Sequence, residues 1–395
     1  MINKKKNEEF KWDLEIKLIW YIGKVRTLME LEELKAWIGL QLVPGVGNIT
    51  LRRLIEHFGS AKAVWEVGPA DFSEIVRLPA QVLDDLLKGP DEKGIERSIG
   101  VLERVGAWTM TFLSKDYPSL LNEIQKPPAL LHGIGDPSSL KKRAVAIVGS
   151  RYPSSYGLDV ARMLSSELVQ HGYTVVSGLA LGIDTASHEA ALMSGGNTIA
   201  VKGCGIDVAY PRQNTSLVRR IADHGAVISE LPPSSSPEAK NFPIRNRIIS
   251  GLSQGVVIIE ASMKSGSLIT ASCALEQGRE VMAVPGSIYS YRSSGTHWLI
   301  KQGARLVENF TDIIEELGAE KQWHDKDLTP GVSKERPELS PEEQNVFDKL
   351  EPYPQHIDNI ANLCGQSVGQ VSGLLLQMEL KDLIQAFPGQ IYQLK

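Results

Sequence analysis

The stretch Lys240-Asn241-Phe242-Pro243-Ile244-Arg245-Asn246-Arg247-Ile248-Ile249 carries three basic residues, one aromatic ring and no acid. Such a segment suits a phosphate chain held by charge, with a base stacked on Phe242. Proline is tolerated in the first turn of a helix, where its missing N–H has no partner to lose. The spacing therefore predicts a helix from Pro243 to about Ser253, with Arg245 and Arg247 in its first turn. Cations there oppose the helix macrodipole by roughly 0.3–1 kcal/mol each when exposed. Two things could offset that cost: an internal acid, with Glu230 and Glu260 as candidates, or a bound phosphate chain.

Other turns join this stretch. Gly149-Ser150-Arg151 follows one apolar run, and Ser177-Gly178-Leu179-Ala180-Leu181-Gly182-Ile183-Asp184 follows a second. Gly203-Cys204-Gly205-Ile206-Asp207 and then Tyr210-Pro211-Arg212 follow a third, and Lys264-Ser265-Gly266-Ser267 opens a helix after another. One such turn is only a strand-to-helix connection. The whole set, with its bases, reads as an anion-binding edge of backbone amides and helix N-termini. Asp184, Asp207 and Glu260 could form an acidic set there, but helix caps and arginine partners are the simpler reading. No G-x-G-x-x-G follows the first strand and no P-loop lysine motif is present, which argues against dehydrogenase or ATPase chemistry.

The elements that must position these turns alternate along the chain. Apolar runs at Ala144–Val148, Thr174–Val176, Thr198–Val201, Ala226–Ile228, Val256–Ile259, Val281–Val284 and Arg305–Val307 read as strands. Amphipathic stretches at Tyr156–Gln170, Asp184–Met193, Ser216–His224, Leu268–Gln277, Thr296–Gln302 and Thr311–Leu317 read as helices. Continuous apolar strands between helices mean a parallel sheet covered on both faces. Such sheets bind ligands outside the carboxyl ends of their strands.

Residues 31–110 read as short helices, two of them joined by Val43-Pro44-Gly45-Val46-Gly47. That pair resembles a helix-hairpin-helix, or a packing unit of sterile-alpha type. The polar stretch 319–338 reads as a linker. In 339–395, His356–Leu363, a Cys364-Gly365 turn and Val368–Leu380 look like a helix-turn-helix, followed by a hairpin wing. Residues 1–30 read either as a dispensable extension or as an extra helix.

Of the 395 residues, 42 are Lys or Arg and 47 are Asp or Glu, giving a net charge of −5. Nucleic-acid affinity would thus need a local positive patch. Cys204, Cys273 and Cys364 form no CxxC or Cys/His spacing, which argues against structural zinc or a disulfide framework and for a reducing compartment. No apolar run reaches the ~18 residues of a membrane span, so cytoplasm is expected and no membrane partner.

Together the motifs make the sequence resemble the DNA-processing protein A (DprA/Smf) family from about Leu31 to the C-terminus. They are Ala146–Arg151, Ser177–Ala180 with Gly182-Ile183-Asp184, Gly203–Asp207 with Tyr210-Pro211-Arg212, Phe242–Ser253, Ser265–Ala271 and Val284-Pro285-Gly286. The resemblance implies an α/β protein with an extended Rossmann-like core (111–318), an N-terminal helical domain (31–110) and a C-terminal winged-helix-like domain (339–395). It implies binding and protection of single-stranded DNA, loading of RecA recombinase in natural transformation, a homodimer, and no catalysis, cofactor or metal. The implied DNA-binding residues are Gly149, Ser150, Arg151, Arg212, Lys240, Phe242, Arg245, Asn246, Arg247, Ser265, Gly266 and Ser267. The spacing of Lys240 from the Phe-Pro step varies in the family. Lys202 stands where a small or apolar residue is usual. It either adds charge to the pocket or leaves the sheet edge.

The rival readings are a Rossmann-like nucleotide hydrolase of phosphoribohydrolase type and a module that binds no DNA. The hydrolase loop is Pro-Gly-Gly-x-Gly-Thr followed by a catalytic Glu. The corresponding Lys264-Ser265-Gly266-Ser267-Leu268-Ile269-Thr270, with Glu276 beyond, lacks the Pro-Gly-Gly. In 339–395 seven acids outnumber three bases, and Ser367–Met378 contains no Arg or Lys. Phosphate affinity and guanine reading both need positive groups. Deleting 339–395 should therefore leave single-strand binding in a gel shift intact. The isolated unit should show no duplex binding at physiological salt, and sub-micromolar duplex affinity would overturn this.

Overall fold

The apolar run that starts at Ala144 alternates between two cores. Ala144, Ala146 and Val148 pack against one layer of helices, Val145 and Ile147 against the other. The computed structural model describes residues 31–72, 78–318 and 339–394 apart from 352 and 382. The expected extension (1–30) and linker (319–338) lie outside the described residues. The chain divides into two compact units, Met1–Gln322 and Trp323–Lys395.

The first unit opens with helices α1 (Leu31–Leu42), α2 (Asn48–Phe58), α3 (Ala61–Glu66), α4 (Pro69–Phe72), α5 (Ala80–Leu87) and α6 (Glu92–Arg104). Then follow β1 (Trp108–Thr111), α7 (Ser119–Asn122), β2 (Leu130–Gly135), β3 (Ala144–Gly149), α8 (Ser155–Gln170), β4 (Thr174–Ser177), α9 (Ile183–Met193) and β5 (Thr198–Val201). Next come α10 (Thr215–His224), β6 (Ala226–Ser229), α11 (Asn241–Gly251), β7 (Gly255–Ile259), α12 (Ser267–Glu276) and β8 (Glu280–Ala283). The unit ends with α13 (Ser294–Lys301), β9 (Arg305–Leu306) and α14 (Phe310–Glu316).

The seven expected runs all form strands, but the sheet has nine, in the order β1-β2-β6-β5-β4-β3-β7-β8-β9. Both added strands are antiparallel, β1 to β2 and β2 to β6, so the sheet is mixed rather than wholly parallel. β1 also spans the boundary expected between residues 110 and 111. Helices α8, α9 and α14 cover one face and α11, α12 and α13 the other. The chain leaves β3 toward β4 on one side and β7 toward β8 on the other. The switch point therefore lies between β3 and β7, where such sheets hold ligands. Gly149 makes this closeness possible: a Cβ there would sit 1.8 Å from the Ile259 carbonyl oxygen.

The hairpin between α1 and α2 is used for packing. Gly45 faces Val82 of α5 with no room for a Cβ. Gln41 Nε2 donates to the Glu230 carbonyl (3.0 Å) and Asn48 Nδ2 to Glu230 Oε2 (2.6 Å). Glu230 directly follows β6 and also receives Arg247 of α11, Nη2 to Oε2 at 2.6 Å. One carboxylate thus joins the helical region, the sheet and α11.

In the second unit, Ser340 and Glu343 form a capping box for α15 (Pro341–Phe347). Then come β10 (Gln355–His356), α16 (Ile357–Cys364), α17 (Val368–Leu380), β11 (Ile384–Phe387) and β12 (Ile391–Leu394). The strands form an antiparallel sheet in the order β10-β12-β11 around a core that includes Ile360, Val371, Leu375 and Ile384. This is the expected helix-turn-helix with its wing, plus a short third strand. Among the described residues no helix is long and apolar enough to cross a membrane, and all three cysteines are free.

Glu230 and Arg247 are nearly buried, with side-chain exposures of 4% and 13%. Removing one partner of such a pair leaves a charge with little water. Glu230→Gln should lower stability by about 3 kcal/mol, read as a reduced denaturation midpoint. An unchanged midpoint would refute the joint.

Candidate nucleic-acid interface

α11 begins at Asn241, two residues before Pro243, so Arg245 and Arg247 lie in its second turn, not its first. The macrodipole cost is correspondingly weaker, and the two arginines find different partners inside the protein. Arg247 takes Glu230, the internal acid foreseen as one alternative. It lines neither cavity of the site.

The family resemblance implies Arg245 as a DNA-binding residue. It is 5% exposed. Its Nη1 donates to the Gly178 carbonyl at 2.7 Å and to the Val201 carbonyl, and its Nε donates to Asn246 Oδ1 at 3.2 Å. Gly178 follows β4 and Val201 ends β5, so the guanidinium closes the carboxyl edge of the sheet. Asp184, the second residue of α9, stands beside it and accepts the N–H groups of Gly178 (3.1 Å) and Ala180 (3.3 Å). A Cβ on Gly178 would touch both Arg245 and Asp184. Burial pushes the Asp184 carboxyl upward, opposed chiefly by Arg245. Burial brings Arg245 down to about 10, opposed by Asp184, and it stays charged at neutral pH.

Two neighbouring cavities open along this edge. The smaller, about 150 Å³, is lined by Arg151, Tyr210, Phe242 and Arg245, among others. Phe242 leans over Gly203, where a Cβ would come 2.8 Å from the ring. Tyr210 lies 5.4 Å from the Phe242 ring, and the Arg151 guanidinium lies 5.7 Å from its centroid. Among the described residues Arg151 pairs with no acid, and it is exposed. The larger groove, about 620 Å³, brings Gly149, Ser150, Arg151, Phe242, Arg245 and Asn246 together with Ser265, Gly266 and Ser267. Asn246 Nδ2 donates to the Gly266 carbonyl at 3.2 Å, which ties α11 to the start of α12.

Arg212 and Lys240 are exposed but line neither cavity, and Lys240 pairs with Glu238 at 2.7 Å. Lys202 lines the smaller cavity, but its ammonium is turned onto backbone carbonyls. It is buried and donates to the Ile206 (2.7 Å) and Val208 (2.6 Å) carbonyls. Burial pushes its amine below the usual lysine range. The remaining acids hold the backbone. Glu260 accepts from Ser154 N (2.8 Å) and Oγ (2.5 Å), and Asp207 from Ser234 N (2.7 Å) and Oγ (2.9 Å). This is the capping role that the sequence reading preferred over an acidic catalytic set.

Three further lining residues were not expected from the sequence. Tyr152, Tyr291 and Arg292 line the groove, the tyrosines 78% and 65% exposed. Arg292 Nε donates to the Tyr152 carbonyl at 2.9 Å, and its guanidinium lies 4.8 Å from the Tyr291 centroid. The Tyr289-Ser290-Tyr291-Arg292 spacing of rings beside a base was the available signal. With Phe242 in the same lining, the groove offers cations and ring faces together, the chemistry of a sequence-tolerant nucleic-acid channel.

A Rossmann-like sheet with a basic, aromatic groove at its switch point, followed by a winged helix, defines a class of DNA-handling proteins. The family model described as DNA recombination-mediator protein A matches residues 108–318, and that of the DprA winged helix domain matches 333–390. The chain belongs to the DNA recombination-mediator protein A family. Protein Smf of Synechocystis sp. is 33% identical over 388 residues, covering 90% of this chain and 98% of that protein. DNA processing protein DprA of Bacillus subtilis is 46% identical over 224 residues, covering 56% and 75%. The crystal structure of DNA processing protein A from Streptococcus pneumoniae superimposes with a TM-score of 0.64 at 37% identity, covering 73% of this chain and 98% of that one.

Arg245→Ala would leave Asp184 buried beside two uncapped carbonyls. It should cost about 3–5 kcal/mol and lower the thermal midpoint. Arg151→Ala, at an exposed position without an ion pair, should change stability by less than about 0.5 kcal/mol. Equal midpoints for the two variants would contradict the separate roles.

Proposed function

We propose that the protein binds single-stranded DNA in this groove, protects it and loads RecA recombinase on it during natural transformation, acting as a homodimer. The observation that carries the reading is Arg151, exposed and without an acid partner beside the Phe242 ring on the ligand-binding edge. Backbone phosphates sit against Arg151 and the turns Gly149-Ser150 and Ser265-Gly266-Ser267. Phe242 stacks one base. Arg245 and Asn246 shape the wall, and Arg245 adds its charge to the field without leaving its partners. Arg212 and Lys240, both exposed, meet the strand outside the groove. Arg247 contributes by holding α11 in place. The core of residues 111–318 does the binding, with the 31–110 helices packed on it.

A binding role is favoured over phosphoribohydrolase chemistry by the placement of the acids. Asp184, Asp207 and Glu260 are occupied by backbone and serine donors. Glu276 is the last residue of α12, the far end of the helix whose first residue, Ser267, lines the groove. Ten helical residues place it about 14 Å from that end.

Affinity for oligo-dT should fall steeply with salt, by about 0.7 in the log–log slope for each phosphate neutralised. It should exceed duplex affinity at every salt concentration. Phe242→Ala should lose about 1–3 kcal/mol of binding, the worth of one stacked base. A flat salt response or tighter duplex binding in fluorescence titrations would defeat the proposal, and so would release of free base from a nucleotide.

A further inference from the structure

We infer that the opposite, amino-terminal edge of the sheet carries a second groove, which takes the phosphodiester backbone of single-stranded nucleic acid. The inference rests on the proposed binding of single-stranded DNA and extends it to a second place on the protein.

The groove has a volume of about 430 Å³, and its lining includes Lys115, Lys141, Lys142 and Arg143. Its position is set by the strand starts. The Arg143 carbonyl accepts from Thr174, the first residue of β4, and Gln254, just before β7, donates to the Ala144 carbonyl of β3. The strands between the two edges are four to six residues long. At about 3.3 Å per residue this places the grooves some 13–20 Å apart, so they share no lining side chain.

The charges are uneven. Lys141 pairs with Asp116. Among the described residues Lys115, Lys142 and Arg143 pair with no acid. Arg143 is held ready: its Nη2 donates to the Tyr173 hydroxyl at 2.5 Å and its guanidinium lies 4.6 Å from that ring's centroid. Three cations without acid partners, gathered in one concavity of a chain with net charge −5, make a local positive field. The aromatic ring in the lining, Tyr117, is 8% exposed, and its hydroxyl donates to the Pro128 carbonyl. With no free ring face for a base, the groove offers backbone contacts alone. Such contacts fix a strand's path without reading its sequence. The occupant is therefore a further segment of strand, reached only when the strand is long enough to leave the first groove.

The test compares oligo-dT of about 6 and about 60 nucleotides on the full chain, a range that brackets the reach of a single site. Lys115→Ala/Lys142→Ala/Arg143→Ala should leave short-strand affinity unchanged. It should make the salt slope for the long strand shallower by about 2, or about 0.7 per lost phosphate contact. Because Arg143 also packs on Tyr173, Lys115→Ala/Lys142→Ala serves as the second variant, with a shift of about 1.4. An unchanged long-strand slope in both variants overturns the inference. An equal loss for both lengths does so too, as does a loss confined to duplex. Failure of the unsubstituted protein to bind either length would instead refute the proposed binding itself.

Discussion

The guanidinium of Arg245 is buried at the carboxyl edge of the sheet, and the site is arranged around it. Taking an ion out of water costs several kcal/mol, and only good geometry with fully used donors offsets that. Here the offset comes from two strand-end carbonyls, the Asn246 amide oxygen and the Asp184 carboxylate beside it. Those partners fix α11 against β4 and β5 and fix the start of α9. Once α11 is placed, Phe242 three residues earlier must lie over Gly203, and Asn246 must face the Gly266 carbonyl at the start of α12. An arginine that cannot swing out to a ligand still sets where the ligand-facing groups stand.

The same helix makes a second ion pair, with a different consequence. Arg247 and Glu230 neutralise one another, and Glu230 also gathers Gln41 and Asn48 from the helical region. Two arginines in one turn thus do separate work, one closing the sheet edge and the other joining the helices to the sheet. Arg151 and Arg292 lie nearer the solvent, Arg151 beside the half-buried Phe242 ring and Arg292 beside the exposed Tyr291 ring. At this edge Asp184, Asp207 and Glu260 are held by backbone amides and serine hydroxyls, while among the described residues Arg151 has no acid partner. Net charge describes long-range behaviour; the local balance of partnered and unpartnered groups decides what an edge can hold.

Much of this was legible in the residues. Most of the apolar runs are strands because strands buried on both faces need no polar alternation, and all seven took their expected places, the exposed edge strand β9 included. The Gly-rich turns fell on one edge because parallel strands point the same way. Two things were not legible. Trp108–Thr111 and Leu130–Gly135 form an antiparallel pair at the edge of the sheet, and they carry polar residues and glycines that weaken a strand signal. Glu230 was a legible candidate, but which arginine it would meet, and that Arg245 would meet carbonyls, was hidden. Residue type identifies a cation, but whether it meets a carbonyl, a carboxylate or water depends on how α11 docks. This is why Arg245 and Arg247 looked like ligands for phosphate while Tyr152 and Arg292 drew no notice.

The C-terminal unit shows how far shape and chemistry can part. Its helix-turn-helix and wing have the outline of a duplex reader, yet Lys381 donates to both Glu343 oxygens (2.7 and 2.8 Å) and is not free to meet a phosphate. Val368, Leu376 and Leu380 of α17 are exposed, Leu380 to 81%, and the helix carries no Arg or Lys. Base edges in the major groove ask for hydrogen-bonding side chains, and the flanking phosphates ask for cations. A helix with no cation and with outward leucines, on an acidic unit, does not meet the second demand. The fold of this unit therefore does not by itself assign it to DNA.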